Sequence, residues 1–171
     1  MQAARYSAIE RMRDGRKIEI RALKPEDRDA MSAAVGRTSS QSLYRRFFGA
    51  KREFSEKEVA YFLDVDFIKH VALVALAEED GQAVVAAGGR YIVQQPGTAE
   101  VAFVVTDQYQ GQGIGAALLR HLAAIGREAG LKEFTAEVLP ENVPMLKVFE
   151  KSGLKSSTKR ERGVVHVGLQ L

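Results

Sequence analysis

The sequence predicts a single α+β domain of 171 residues built around a mixed sheet. The first indication is a run of three strands between Val71 and Thr106, separated by tight turns, which is typical of an antiparallel meander. The second is a strand, a long helix and another strand that follow one another directly between Ala99 and Leu139. Two strands joined by such a crossover pair in parallel. No repeat, linker or low-complexity stretch divides the chain, so we expect one domain over residues 1–171.

The composition is that of a globular protein with an ordinary core. Hydrophobic residues make up 46% of the chain, charged residues 27%, and there is no cysteine. The missing cysteines exclude disulfides, thiolate metal sites and covalent cysteine chemistry. The longest unbroken apolar run, Val71 to Ala77, is too short to span a membrane, and the N-terminus lacks a secretory apolar segment. We therefore expect a cytoplasmic protein with no membrane partner, and we leave open whether it forms a homodimer.

The charge is slightly basic, with a formal net value of +3. Basic residues concentrate in two clusters, Arg37 to Lys57 and Lys147 to Arg162. Such clusters usually form only solvated surface, and a net charge of this size falls short of the electrostatic footprint of a nucleic-acid-binding protein. The excess of positive charge suits an anionic small molecule, whereas nucleic-acid binding is disfavoured.

The N-terminal part predicts one strand and three helices. Residues 1–16 are expected to be either disordered or an additional N-terminal segment. Alternating apolar and charged residues over Lys17 to Leu23 predict a half-buried strand. Pro25 and the acidic residues after it predict a helix to Val35. Two further helices are expected over 40–48 and 55–63, the second beginning at Ser55 in a capping box with Glu58.

The rest of the chain predicts strands with one long helix among them. The meander consists of strands over 71–79, 82–94 and 99–106, with Gly88 and Gly89 predicted to form a bulge. Asp80 and Gly81 have the chemistry of a tight hairpin turn. The long helix begins near Ile114, and a strand over 133–139, a short helix to residue 152 and two final strands complete the sheet.

Three glycines, Gly111, Gly113 and Gly115, lie between a strand and a helix. A turn of this kind frees backbone N–H groups at a helix N-terminus and makes a concave anion site that suits a pyrophosphate. Neither common phosphate motif fits. No Lys-Ser/Thr pair follows as in a P-loop, and the glycine spacing is not that of a dinucleotide fold.

The motif Gln110-x-x-Gly113-x-Gly115, with Asn142 near the start of the next helix, resembles the acyl-CoA-binding core of the GNAT superfamily of N-acyltransferases. This likeness covers almost the whole chain and implies a central mixed sheet of about seven strands flanked by four to five helices. The segments 20–27 and 39–48 are similar to the acetyltransferase domain of bacterial protein-lysine acetyltransferases. The implied activity is therefore N-acetyl transfer from acetyl-CoA to an amine, with a protein lysine as the favoured acceptor.

The resemblance also implies the roles of individual residues. The pyrophosphate would bind the amides of the glycine turn, and the pantetheine arm would pair with the preceding strand. Asn142 would contact the pantetheine, and Phe149 would pack against CoA at the position where many members carry a thiol-protonating tyrosine. The cofactor-binding residues expected on this basis are Phe103, Val104, Val105, Gln110, Gly111, Gln112, Gly113, Ile114, Gly115, Ala116, Asn142 and Phe149.

Glu100 is the expected catalytic base. A lysine amine is almost fully protonated at neutral pH, so attack on a thioester requires a group that removes a proton. Glu100 is the lone carboxylate on an apolar strand, and partial burial there would raise its pKa. A solvent-facing role is the alternative, with Glu137 and Asp107 as second-choice bases. Without cysteine the simplest mechanism is direct attack in a ternary complex.

Several alternatives stay open at this point. The acceptor is either a protein lysine or a small-molecule amine, and a non-catalytic acyl-CoA-binding module is the third hypothesis because Phe149 cannot donate a proton. The segment Arg45 to Phe48 either lines the acceptor site or packs a helix. The three histidines, His70, His121 and His166, lack metal-ligand spacing, so structural roles and no metal site are expected.

Overall fold

The computed structural model describes residues 2–36 and 56–171. The helix predicted over 40–48, the segment Arg45 to Phe48 and the capping box at Ser55 lie outside the described residues. Eight strands form one mixed sheet: β1 (Ser7–Arg11), β2 (Lys17–Ala22), β3 (His70–Glu79), β4 (Gln82–Gln95), β5 (Thr98–Val105), β6 (Glu133–Val138), β7 (Ser156–Glu161) and β8 (Val164–Gln170). The described helices are α1 (Arg28–Gly36), α2 (Glu56–Leu63), α3 (Ile114–Glu128) and α4 (Val143–Glu150).

The sheet follows the order β1-β2-β3-β4-β5-β6-β8-β7. The predicted meander is confirmed, since β3, β4 and β5 pair antiparallel in sequence order. The predicted crossover is also confirmed, because β5 and β6 are parallel and α3 connects them. In the hairpin turn between β3 and β4, Asp80 and Gly81 have φ values of 51° and 79°, which the type I′ geometry requires.

The strand β1 is the element that the sequence did not predict. Residues 1–16 were expected to be disordered or an extra segment, and the sheet has eight strands instead of about seven. The side chains of β1 give a weak signal, because Ile9 is 62% exposed and the neighbouring strand residues are at most half-buried. Pairing with β2, from Ser7 opposite Arg21 to Arg11 opposite Lys17, supplies the order that local propensity does not.

The predicted bulge at Gly88 and Gly89 is wrong. The register shifts instead between Ala75 and Leu76, which face Ala87 and Val85, so Ala86 is the extra residue. Packing explains why position 89 is a glycine. A Cβ built on Gly89 would lie 2.7 Å from Cδ1 of the Phe103 ring. The glycine is needed because the buried ring of Phe103 packs directly on the backbone of β4.

The main core lies between one face of the sheet and α3. Leu118 and Leu122 are fully buried on α3, and Phe134 and Tyr91 face them from the sheet with ring centroids 5.5 Å apart. A smaller apolar cluster around Leu23 lies on the sheet's other face, with the partly buried Met31 of α1 packed against it. Within the ranges 2–36 and 56–171, no helix has the length and apolar character that a membrane span needs.

The chain between β2 and α1 is held by a buried ion pair. Residues 25–27 form a short 3₁₀ turn rather than the first turn of the expected α-helix. Asp27 accepts two hydrogen bonds of 2.8 Å from the guanidinium of Arg21 and one of 2.8 Å from the backbone N–H of Lys24. Burial alone would raise the pKa of Asp27, but the hydrogen bonds and the Arg21 charge lower it below its usual 3.8.

We expect Asp27→Asn to lower the free energy of unfolding at pH 7 by about 2 kcal/mol, because Arg21 would keep a largely buried charge with a weaker partner. A carboxyl whose pKa is depressed on folding contributes stability that is present above its unfolded pKa and is lost as the pH falls through its folded pKa. The difference between wild type and variant should therefore shrink below about pH 4. Urea unfolding between pH 3 and pH 7 measures it, and a pH-independent difference would contradict the ion pair.

Candidate active site

Strands β5 and β6 separate after a short parallel contact. Their pairing is limited to Thr98, Ala99 and Glu100, which face Glu133, Phe134 and Thr135. Beyond Glu100, β5 pairs only with β4 as far as Val105, and β6 pairs only with β8. Among the described strands, none covers the edge of β5 from Val101 to Val105 on this side. The peptide N–H and C=O of Phe103 point to that edge and can hydrogen-bond an amide ligand lying in the gap, whereas those of Val104 point to Gly88 of β4.

The glycine turn lies at the far end of β5. Gly111 and Gly113 have φ values of 79° and 86°, a region that only glycine adopts without strain. Gly113 is the N-cap of α3, and no amide from Gly111 to Ala116 donates a hydrogen bond to another described residue. The positive end of the helix dipole adds to these free donors, so the turn can bind an anion such as a pyrophosphate.

Contacts of residues in and next to the glycine turn fix its position. Nε2 of Gln110 donates a hydrogen bond of 3.1 Å to the carbonyl of Val105, which ties the turn to the end of β5. Ile114 is buried in the core and Gly115 is buried beneath α4, where a Cβ would lie 3.6 Å from Val148. The motif residues are thus used partly for local structure, and their contacts with a cofactor remain predictions.

Asn142 and Phe149 both have structural contacts. Asn142 is the N-cap of α4, and its Oδ1 accepts from the N–H of Met145 at 3.4 Å. Phe149 is only 3% exposed, and its ring packs against Phe103 with centroids 6.1 Å apart. The structure therefore explains a phenylalanine at position 149 by core packing, and the predicted contacts of both residues with CoA stay predictions.

Glu100 belongs to the last residue pair that joins β5 to β6 before the two strands separate. The side chain is exposed, so the partial burial expected for it is wrong. The reason is that the sheet face of Glu100 is opposite the one covered by α3, and Thr135 is its neighbour on β6. The carboxylate lines an open cavity of about 500 Å³ that also borders β6, β7 and β8.

The cavity beside Glu100 has a largely polar lining. It includes the second-choice base Glu137, which lies 3.7 Å from Nδ1 of His166. Glu133, Thr135, Lys159 and Ser157 complete its polar wall. The other second-choice base, Asp107, lies in the 3₁₀ turn after β5 and does not line this cavity. The carboxylates give the cavity walls an acidic character that suits a cationic amine.

Sequence reasoning missed Arg90, which lies on the same sheet face as Glu100. Arg90 faces Ala102 on β5, and Glu100 faces Ile92, two residues further along β4. The guanidinium donates to Nε2 of His70 at 2.8 Å and stacks over the ring of Phe62 at 4.9 Å. A lone charge in the apolar stretch of β4 was the signal, the same one that identified Glu100.

Two of the three histidines, His70 and His121, make contacts that link elements of the fold. Burial, and secondarily the charge of Arg90, lowers the pKa of His70 to about 4, so this ring is neutral and can accept the guanidinium N–H. His121 joins β1 to α3, because its ring hydrogen-bonds Tyr6 and lies 2.7 Å from Oε1 of Glu10. Within the described ranges no group of three or more His, Asp or Glu side chains could hold a metal ion.

Comparison with known proteins gives consistent matches. The acetyltransferase (GNAT) family matches residues 35–154. An acetyltransferase of Pseudomonas aeruginosa is 34% identical over 126 residues, which cover 73% of this chain and 68% of that protein. The acetyltransferase Pat of Mycolicibacterium smegmatis is 31% identical over 144 residues, or 83% of this chain. The matched part spans only 42% of Pat.

One solved structure matches a larger share of the chain than these sequence relatives do. The crystal structure of the GNAT domain of S. lividans PAT superposes with a TM-score of 0.88 and 36% identity. The match covers 96% of this chain and 97% of that one. The fold of this chain is thus that of the GNAT domain over nearly its whole length.

Proposed function

The chain belongs to the GNAT family of acyl-CoA-dependent N-acetyltransferases, and on this premise we propose that it transfers an acetyl group from acetyl-CoA to the side-chain amine of a protein lysine. The observation that carries the proposal is the separation of β5 from β6, with the glycine turn at one end and Glu100 at the other. One ligand of extended shape could occupy both ends at once. Similarity to Pat and to the PAT domain favours a lysine acceptor.

Acetyl-CoA would lie along β5. Its pyrophosphate would accept hydrogen bonds from the free amides between Gly111 and Ala116. Its pantetheine amides would pair with the open edge of β5 between Phe103 and Val105, as an added strand does. Asn142 would contact the arm near the start of α4. The thioester would then reach the last paired rung, beside Glu100.

The chemistry requires one proton transfer before attack. Glu100, acting through a water, accepts a proton from the lysine ammonium, whose ordinary pKa is near 10.4. The neutral nitrogen forms a bond to the thioester carbonyl carbon, and the carbon–sulfur bond then breaks. The thiolate of CoA leaves with its electron pair and is protonated by water, and the nitrogen gives up its second proton to the hydroxide so formed, which yields the amide. The chain contains no cysteine, which supports direct transfer without an acyl-cysteine intermediate.

A small-molecule amine is the second candidate acceptor. The cavity of about 500 Å³ beside Glu100 falls in the size range of small-molecule sites. Its open side on the sheet face and its acidic wall fit a lysine on a polypeptide as well. The two acceptors differ in a measurable way, because only a polypeptide can use binding energy from residues on both sides of the reacting amine.

The direct test is an acetylation assay with two sets of acceptors. Lysine-containing peptides and proteins are compared with free amines and amino acids, and both CoA release and the mass of the product are measured. We expect acetylation of the lysine ε-amine, with a kcat/KM for peptides well above that for free lysine. A preference for free amines would move the proposal to the small-molecule class. CoA binding without turnover on any acceptor would support the non-catalytic module instead.

A further inference from the structure

We propose that the tip of the β1–β2 hairpin, Met12 to Arg16, is a brace that sets the direction of the phosphate-binding amides in the glycine turn. Arg13 is its central positioning residue. The inference rests on the proposed binding of acetyl-CoA but concerns a segment outside the motif, in the part of the chain where the sequence predicted no ordered strand. The two regions are far apart in sequence, since the contacts join residues separated by 98 positions.

Three hydrogen bonds connect the hairpin to the glycine turn. The backbone N–H of Arg13 donates to the carbonyl of Gln112 at 3.1 Å. Nη1 of Arg13 donates to the carbonyl of Gly111 at 3.2 Å. The backbone N–H of Asp14 donates to Oε1 of the Gln112 side chain at 3.2 Å. The hairpin thus contacts only the acceptor side of the turn, by two consecutive carbonyls and one side-chain oxygen.

The geometry of the peptide bond makes these contacts directional. In a trans peptide the C=O and the N–H of the next residue point in opposite directions within one plane. Holding the carbonyls of Gly111 and Gln112 toward the hairpin therefore turns the N–H groups of Gln112 and Gly113 away from it. Neither of these N–H groups donates to another described residue. The hairpin fixes the orientation of two donors without occupying them.

The hairpin tip is itself rigid enough to serve as a support. Met12 is 4% exposed and belongs to the main core, and its carbonyl accepts from the N–H of Gly15 at 2.9 Å. The carboxylate of Asp14 accepts from both the N–H and the Nε of Arg16, at 3.0 and 2.8 Å. The guanidinium of Arg16 in turn lies 5.6 Å from the ring centre of Tyr109, just before the glycine turn. A glycine turn with two flexible residues gains order from this contact, which lowers the entropy lost when a ligand binds.

The test compares three single variants for binding of CoA and of S-acetylpantetheine, which lacks the pyrophosphate, by calorimetry. Arg13→Met removes the side-chain donor. Gln112→Met removes the acceptor for Asp14 without changing any charge. Arg11→Met is the matched control, because Arg11 lies in the same hairpin and donates one hydrogen bond of 2.9 Å to the Gly15 carbonyl but makes none to the turn.

We expect Arg13→Met and Gln112→Met each to weaken CoA binding about three- to tenfold, with S-acetylpantetheine binding unchanged. Arg11→Met should bind both ligands as the wild type does. The uncharged Gln112 change separates positioning from a direct attraction between Arg13 and the phosphates, since only positioning predicts a loss in both variants.

Three results would overturn the brace, and the first two concern both turn-directed variants. One is unchanged CoA affinity in both turn-directed variants, and the other is an equal loss for CoA and S-acetylpantetheine, which indicates a general loss of fold. A loss in Arg13→Met alone would also contradict it and assign Arg13 to direct phosphate attraction. If the wild-type chain binds CoA normally, these failures leave the proposed function intact. Failure of the wild type to bind CoA would remove both proposals.

Discussion

Glu100→Gln is expected to reduce kcat for lysine acetylation about 100-fold or more, since general-base catalysis contributes factors of this order. The glutamine keeps the size and hydrogen-bonding reach of the side chain but cannot accept the proton. The variant rate should then rise in proportion to hydroxide concentration up to about pH 10, because only solvent supplies the free amine. Affinity for CoA should not change, because the carboxylate lies at the opposite end of the β5 gap from the glycine turn.

Two other glutamates make this result specific. Glu161→Gln is the matched control, because the Glu161 side chain is exposed at the sheet edge, lies 3.9 Å from Nζ of Lys159 and does not line the cavity. It should retain full activity. Glu137→Gln tests the second-choice base, which also lines the cavity. A large loss in Glu137→Gln with near-normal activity in Glu100→Gln would reassign the base to Glu137, and normal activity in both would end the general-base proposal for these two glutamates.

Gly113→Val is expected to weaken CoA binding about 10- to 100-fold. A residue with a Cβ at the φ of 86° observed for Gly113 costs roughly 1–2 kcal/mol, and more when it is β-branched. The turn would relieve that strain by rotating toward negative φ, which redirects the amides that the anion needs. A Cβ at this position meets no other protein atom within 4 Å, so the effect comes from backbone direction and not from a clash with the core. Calorimetric titration with CoA measures the loss.

Gly81→Val is the matched control for this strain. Gly81 has a φ of 79° and a Cβ there also meets nothing within 4 Å, but it lies in the hairpin turn between β3 and β4. Both variants should lose a similar free energy of unfolding, and only Gly113→Val should lose CoA affinity. Equal CoA affinities for the two variants would mean that the direction of the amides in the glycine turn does not determine phosphate binding.

The parts of the fold that the sequence predicts well are those with strong local patterns. The apolar run of β3, the Asp80-Gly81 turn and the helical spacing from Ile114 each determine their own structure. Strand β1 could not be found in this way, because its order comes from pairing with β2 and from the contacts of His121 with Tyr6 and Glu10. The wrong prediction of a bulge at Gly88 and Gly89 has a similar cause. Gly89 leaves room for the ring of Phe103, which lies on another strand.

In the candidate site, too, features set by the local sequence were predictable, and features set by contacts between distant residues were not. The glycine turn follows from residue types alone, since several glycines before a helix have few other uses. The exposure of Glu100 depends on which sheet face α3 covers, and the period of a strand identifies two faces without saying which one is buried. Arg90 was missed because its contacts with His70 and Phe62 join residues far apart in sequence. The brace by Arg13 was hidden for the same reason.

The sheet consists of two groups of strands that only the short contact between β5 and β6 joins through the backbone. Strands β1 to β5 form one ribbon and β6, β8 and β7 another, and the backbone ladder joins them through three residue pairs. The two ribbons are otherwise held by direct contacts such as that of Tyr91 in β4 with Phe134 in β6, and by α3, which packs on both. A ligand whose amides completed the ladder along β5 would act as a missing strand. Hydrogen exchange at β6 should therefore respond to acetyl-CoA as strongly as exchange at the strand that the ligand contacts.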